Sequence, residues 1–280
     1  MNVREVTSVF LILLGFAIIL GITMGMLFPT PYGNIMVIKI DSKIQSSGGG
    51  LLEAVTSSED IIEKLTEAEK NPLVEAVILD INSGGGTSVA SYEIVKAVKA
   101  FNKPIVSLIR EVGASGAYWV ASATDYIVAN DFSFVGSIGV TMDYLEYSGL
   151  LERFNVTYVN LSYPEHKSIF SEYRELTPDE RLKAESWLKT LYERLVSDIA
   201  LNRNMTIEEL RPYANGSVFT GYEAIEYGLI DELGGFNEAL NKTITLANIT
   251  EPMIIKSKET ISLLDLLSGI NNEKEITLSI

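Results

Sequence analysis

The stretch Gly113-Ala114-Ser115-Gly116-Ala117-Tyr118 decides the reading of this chain, because a serine flanked by small residues joins a strand pattern to a helix pattern there. Upstream, Lys103 to Glu111 (KPIVSLIRE) is β-branched and apolar, as a buried strand is. Downstream, Ala117 to Ala123 (AYWVASA) is apolar and suits a buried helix. A serine at such a junction exposes its hydroxyl while helix-terminal N–H groups point at the group it attacks. The alternation continues outward. Asn34 to Asp41 reads as a strand, and Ser58 to Lys70 as a helix with Ile61, Ile62 and Leu65 on one face. Val74 to Ile81 is a buried strand running into Asn82-Ser83-Gly84-Gly85-Gly86, and Ser88 to Phe101 is the next amphipathic helix. Alternating strands and helices imply right-handed βαβ crossovers around a largely parallel sheet, an α/β fold. Reactive residues gather where the strands of such a sheet turn into helices. The glycine loop and Ser115 both lie at such turns.

Thr177-Pro178-Asp179-Glu180 is a helix start, with an N-cap threonine, proline at the first position and glutamate three residues after the cap. That helix should run to about Leu201, with Leu188, Leu191, Leu195 and Ile199 as one core-packing stripe. Gly221 to Gly228 and Phe236 to Leu246 read as shorter helices. Beyond about Met253 the chain is polar and loosely patterned, apart from a weak apolar segment at Ile261 to Leu267. No internal repeat is visible.

With 280 residues, 47% of them hydrophobic, the chain can bury a large core. A formal charge of −15 excludes a nucleic-acid partner, since phosphates require a basic face. The absence of cysteine excludes disulfides, thiolate metal sites and thiol redox chemistry. Val6 to Phe28 carries no charge and is long enough to cross a bilayer with some tilt. A cleaved signal peptide is the alternative, but its apolar region is usually shorter and no A-x-A site follows. Three segments are expected: a tail and transmembrane anchor over 1–28, a catalytic domain over 29–250 and an extension over 251–280. Arg4 beside Glu5 gives little orientation signal. Asn-x-Ser/Thr sequons begin at Asn155, Asn160, Asn204, Asn215, Asn241 and Asn248, which agrees with a domain outside the cytoplasm.

A serine hydroxyl is a poor nucleophile and needs an adjacent base. Lysine serves when desolvation keeps it neutral, and histidine is the commoner choice. The chain's one histidine, His166, sits beside Lys167 in Tyr163-Pro164-Glu165-His166-Lys167-Ser168, so spacing leaves both open.

DINSGGG (80–86), GASGAYWVASATDYIVAN (113–130), GSIGV (136–140), HKSIFSEYRELTPDER (166–181) and FTGYEAIEYGLIDELGG (219–235) together resemble the signal peptide peptidase A family, in the same order across roughly residues 35 to 240. The resemblance implies a ClpP/crotonase-like fold and a membrane-anchored serine protease that cuts signal-peptide remnants and other extended or misfolded chains, without a cofactor or metal. It implies Ser115 as nucleophile, Lys167 as general base and Ser137 as a residue that helps hold the lysine amine. Gly85 and Gly116 would supply the oxyanion-hole N–H groups. It further implies a homo-oligomeric ring in which neighbouring protomers supply serine and lysine, on the extracytoplasmic face of the membrane. The family loop usually reads Ser-Pro-Gly-Gly, whereas Gly84 follows Ser83 here. The rivals are an NfeD-type Ser-Lys protease acting on stomatin-like partners, a crotonase-fold enzyme for acyl-CoA and a non-catalytic scaffold.

Overall fold

A computed structural model describes residues 33–47 and 55–257. The expected anchor over 6–28, the glycines at 48–50 and the apolar segment at 261–267 lie outside them. Among the described residues no helix is long and apolar enough to cross a membrane.

The chain is mixed α/β and dominated by parallel pairing. β1 (Ile35–Ile40), β4 (Ala76–Ser83), β5 (Ile105–Ala114), β6 (Tyr126–Ala129), β9 (Glu232–Leu233) and β10 (Ile254–Lys256) form parallel neighbours in the order β10-β1-β4-β5-β6-β9. The sheet therefore extends past residue 250. β2 (Lys43–Gln45) and β3 (Val55–Ser57) make a separate two-stranded sheet. Side-chain alternation explains why both faces of the main sheet need cover. Val77, Leu79 and Ile81 face a core shared with helices α1 (Ser58–Lys70), α2 (Ser88–Ala100) and α3 (Gly116–Ser122). Ala76, Ile78, Val106 and Leu108 face the opposite way, onto Ala239 and Leu240 of a later helix, Phe236–Ala247.

β5 changes partner partway along. Val106 to Ile109 pair with β6, whereas Val112 to Ala114 pair with β7 (Phe134–Gly136). β7 in turn pairs antiparallel with β8 (Val218–Thr220). At the fork the buried Ser133 hydroxyl donates to the carbonyls of Ile109 and Arg110, and it accepts from Asn130 N–H at 3.0 Å. The fork thus leaves fewer backbone groups unpaired where the ladder splits. It also places Ser115 at the end of a strand held from both sides.

After β7 the chain leaves the core. Residues 141–177 form an exposed arm with one short helix, α4 (Ser148–Arg153), and a 3₁₀ turn, Glu165–Ser168. The arm returns through α5 (Pro178–Asn202), 25 residues and so about 37 Å long. The capping box expected at Thr177 and Glu180 is present, and the helix ends within a residue of its expected limit. The expected core stripe holds only in part. Leu195 and Ile199 are buried, but Leu191 is 44% exposed, as are Leu182 at 65% and Trp187 at 39%. The cause is length: the first half of α5 overhangs the sheet and carries the arm. α6 (Ile207–Leu210), α7 (Gly221–Glu226) and α8 (Phe236–Ala247) complete the chain's helices among the described residues.

Candidate active site

Ser115 is the N-cap of α3 and adopts φ 53°, ψ −124°, a conformation that a non-glycine residue rarely takes. Backbone ties hold it there: its N–H donates to Gly136 O at 2.8 Å, and its carbonyl accepts from Trp119 N–H at 3.0 Å. N-cap serines normally turn the hydroxyl back onto the helix. Here the side chain makes no such bond, so Oγ is left half-buried and uncommitted. Strain of this kind costs roughly 1–3 kcal/mol and persists where the surroundings over-determine it.

The glycine loop packs against this turn. A Cβ on Gly85, at φ 96°, would lie 2.6 Å from Gly116 N and 3.0 Å from Ser115 Cβ. A Cβ on Gly116 would lie 2.2 Å from the buried Ser91 Oγ and 3.4 Å from Gly86 N. Only glycine permits this approach of three backbone segments. The two expected donors differ in their engagement. Gly116 N–H, at the first position of α3, donates to no acceptor among the described residues. Gly85 N–H instead donates to Ser83 Oγ at 3.1 Å, while Ser83 Oγ itself donates to Ser42 O at 2.6 Å. Its neighbour Gly86 is exposed, and its N–H has no acceptor among the described residues. Among the described residues the N–H groups of Gly116 and Gly86 have no acceptor, and Gly86 N lies 3.4 Å from where a Cβ on Gly116 would stand. Sequence spacing could not separate Gly85 from Gly86, because the choice depends on which way the Ser83 side chain turns.

Ser137 follows Gly136, whose carbonyl holds Ser115, and its own N–H donates to Ser217 O at 2.7 Å. It too has a positive φ, 49°, and it is half-buried beside the turn. Lys167 lies on the arm, exposed, and its amine has no hydrogen bond or ion pair among the described residues. No hydrogen bond joins it to Ser115. His166 does not reach Ser115 either: Nε2 lies 3.5 Å from Asp179 Oδ2, and Nδ1 is buried without a partner among the described residues. Among the described residues, the backbone joins Ser115 to Gly136, the residue before Ser137, while neither Lys167 nor His166 makes a hydrogen bond to Ser115.

The loop bearing Lys167 is firmly tied. Arg174 makes a bidentate pair with Glu180, Nη1 to Oε2 at 2.7 Å and Nη2 to Oε1 at 2.6 Å. It also donates to Ser168 O at 3.1 Å. The Arg174 guanidinium, helped by Thr177 N–H, pulls the nearly buried Glu180 carboxyl down to about 2. The sequence pointed to Glu180 only as a helix cap. Its second task was signalled by Arg174 lying six residues earlier.

Residues 97–250 match the family model described as peptidase family S49, and the chain belongs to that family. A relative from Methanocaldococcus jannaschii is 35% identical over 197 residues, covering 70% of this chain and 63% of its own. The chloroplastic serine protease SPPA of Arabidopsis thaliana is 31% identical over 229 residues, covering 77% of this chain and 33% of its own. The chain thus spans about 63% or less of the length of these curated relatives. A solved structure of a membrane-bound stomatin-specific protease aligns with a TM-score of 0.51 over 82% of this chain and all of its own, at 17% identity, a likeness of fold.

Proposed function

We propose that this chain is a membrane-anchored serine endopeptidase with a ClpP/crotonase-like fold, using Ser115 as nucleophile and Lys167 as general base. Its substrates are extended peptides such as cleaved signal peptides, met on the extracytoplasmic side through the anchor at 6–28. The observation that carries the reading is the strained Ser115 turn with its hydroxyl uncommitted and two free N–H groups beside it. In the reaction Lys167 Nζ takes the proton of Ser115 Oγ as Oγ bonds to the scissile carbonyl carbon. Gly116 and Gly86 N–H groups stabilise the oxyanion. The C–N bond breaks as Lys167 returns the proton to the leaving amine. Water then attacks the acyl carbon, giving a proton to Lys167, which passes it to Ser115 Oγ as the C–Oγ bond breaks and the acid leaves. A lysine base must be desolvated to act, and Lys167 is exposed on the arm of a lone chain. A neighbouring protomer that covers the arm would supply both the desolvation and the serine. Exposed apolar side chains along the arm, among them Leu145, Phe154, Val159 and Leu161, suit such a contact.

The test is hydrolysis of a fluorogenic peptide library by the full chain in detergent, beside Ser115→Ala and Lys167→Ala. Activity that rises toward alkaline pH in the parent, with both variants folded and inert, is the expected result. An active Lys167→Ala variant would overturn the lysine and turn attention to His166. An inert parent of intact assembly would overturn the protease reading.

A further inference from the structure

Lys167 is exposed on a loop of the arm, so a general base there needs its position fixed by the loop's own ties. The 3₁₀ turn Glu165–Ser168 has only local backbone bonds of its own, Lys167 N–H to Pro164 O at 3.0 Å and Ile169 N–H to His166 O at 3.2 Å. Two residues past it, Phe170 sits at φ 62°, a left-handed conformation that a bulky residue does not adopt unless held. Its ring contacts Tyr144 at 5.6 Å and Trp187 of α5 at 6.2 Å. Polar contacts add to this: His166 Nε2 lies 3.5 Å from Asp179 Oδ2, the Ser162 and Ser168 hydroxyls lie 3.3 Å apart, and Arg174 makes the most bonds. Arg174 Nη2 donates at once to Ser168 O at 3.1 Å, to Ser168 Oγ at 3.3 Å and to Glu180 Oε1. Nη1 donates to Glu180 Oε2 and to Glu175 O at 3.0 Å. Glu180 is 3% exposed and is itself fixed by the Thr177 cap, accepting from Thr177 N–H at 2.9 Å.

We infer that Arg174, clamped by Glu180, is the positioning residue that sets Lys167 for proton transfer, by gripping the carbonyl of the residue next to it and tying it to the N-terminus of α5. The inference rests on the Ser115–Lys167 reading and adds to it the group that aims the base. The chemistry explains the choice of arginine. Five donors in a rigid plane can serve a carboxylate and a carbonyl together, whereas an ammonium acts as a point charge. A merely stabilising ion pair would need only the charge.

That difference gives the experiment. Arg174→Lys and Arg174→Met are made in the full chain, purified in detergent and compared with the parent and Lys167→Ala. Melting temperature, kcat and KM on one fluorogenic peptide are the readouts. Arg174→Lys keeps a cation beside Glu180, so its melting temperature stays within about 3 °C of the parent. Its grip on Ser168 O is lost, so kcat falls roughly 10- to 100-fold while KM is unchanged, the signature of a displaced base. Arg174→Met loses both stability and kcat. A folded Arg174→Lys variant with the parent's kcat overturns the inference, as does a fall in kcat matched by an equal loss of folded protein. Failure of the underlying reading looks different. Lys167→Ala then works as well as the parent, or the parent is inert, and the positioning role falls with it.

Discussion

Replacing Gly86 by alanine tests the donor loop most directly. The added Cβ would lie 1.9 Å from Ile44 O and 2.6 Å from Ile44 C and N, all backbone atoms that cannot rotate away. Ordinary contact begins near 3.4 Å, so the two segments must part by roughly 1.5 Å. Ile44 is tied to this loop by two bonds, Ile44 N–H to Gly85 O and Thr87 N–H to Ile44 O, both 2.9 Å. Losing both costs about 2 kcal/mol, at about 1 kcal/mol net for each. In a chain of this size that lowers the melting temperature by roughly 4–8 °C, which leaves the protein folded at 25 °C. The same displacement would carry Gly86 N–H off the oxyanion position proposed for it. Removing one such donor lowers kcat by roughly 10²–10³. Gly84 is the internal control, because a Cβ there meets nothing within 4 Å. Gly84→Ala should gain about 0.4–1 kcal/mol through the unfolded chain and keep the parent's kcat. Differential scanning fluorimetry and steady-state hydrolysis of one fluorogenic peptide suffice. A folded Gly86→Ala variant within threefold of the parent kcat would refute the donor assignment. A dead Gly84→Ala variant would refute the loop geometry altogether.

Two further outcomes follow from ties described above. The Glu180 carboxyl is held at about 2 when folded, against an ordinary 4.5, so its contribution is complete above pH 4.5 and fades as pH falls toward 2. Glu180→Gln should therefore lose melting temperature at pH 7 but narrow its deficit to the parent at pH 3; a deficit independent of pH would deny the ion pair its role. Ser133→Ala leaves Asn130 N–H and the fork carbonyls without their hydroxyl, so it should cost about 1–3 kcal/mol in a urea melt. An unchanged midpoint would show that the fork is held by other means.

The legible parts of the sequence were those with a local cause. Thr177-Pro178-Asp179-Glu180 announces its helix because cap, proline and glutamate act on one another within a single turn. The strand into Ser115 and the glycine loop could be read for the same reason. What stayed hidden depends on distant partners. β6 to β9 have two to four residues each, too few to show a period; β6 and β7 exist because β5 offers them an edge, and β9 and β8 because β6 and β7 do in turn. β10 lies in a polar stretch and is a strand only through its register with Ile35 to Val37. The leucine stripe of α5 named a face correctly, but periodicity cannot say where the core beneath it ends. The site followed the same rule. The Ser115 turn could be read from its neighbours, while the engagement of Gly85 N–H depends on a Ser83 hydroxyl that also reaches Ser42.

The proposed dyad has a quantitative consequence. Its proposed nucleophile, Ser115, stands at the end of β5, and its proposed base, Lys167, stands on the arm that Arg174 and Glu180 tie down. If a neighbouring protomer's arm completes each site, Ser115→Ala chains still offer a working lysine and Lys167→Ala chains a working serine. In a ring mixed at random from equal parts, a site is complete when its serine comes from a Lys167→Ala chain and its lysine from a Ser115→Ala chain. Each condition holds half the time, so roughly a quarter of the sites work. Co-purified mixtures should therefore recover roughly a quarter of the parent's kcat per site, with KM unchanged, although each variant alone is inert. Sites completed within one chain predict zero at every mixing ratio. A mixture shown by mass spectrometry to contain both chains in one assembly, yet inert, would place Lys167 and Ser115 of the same chain together.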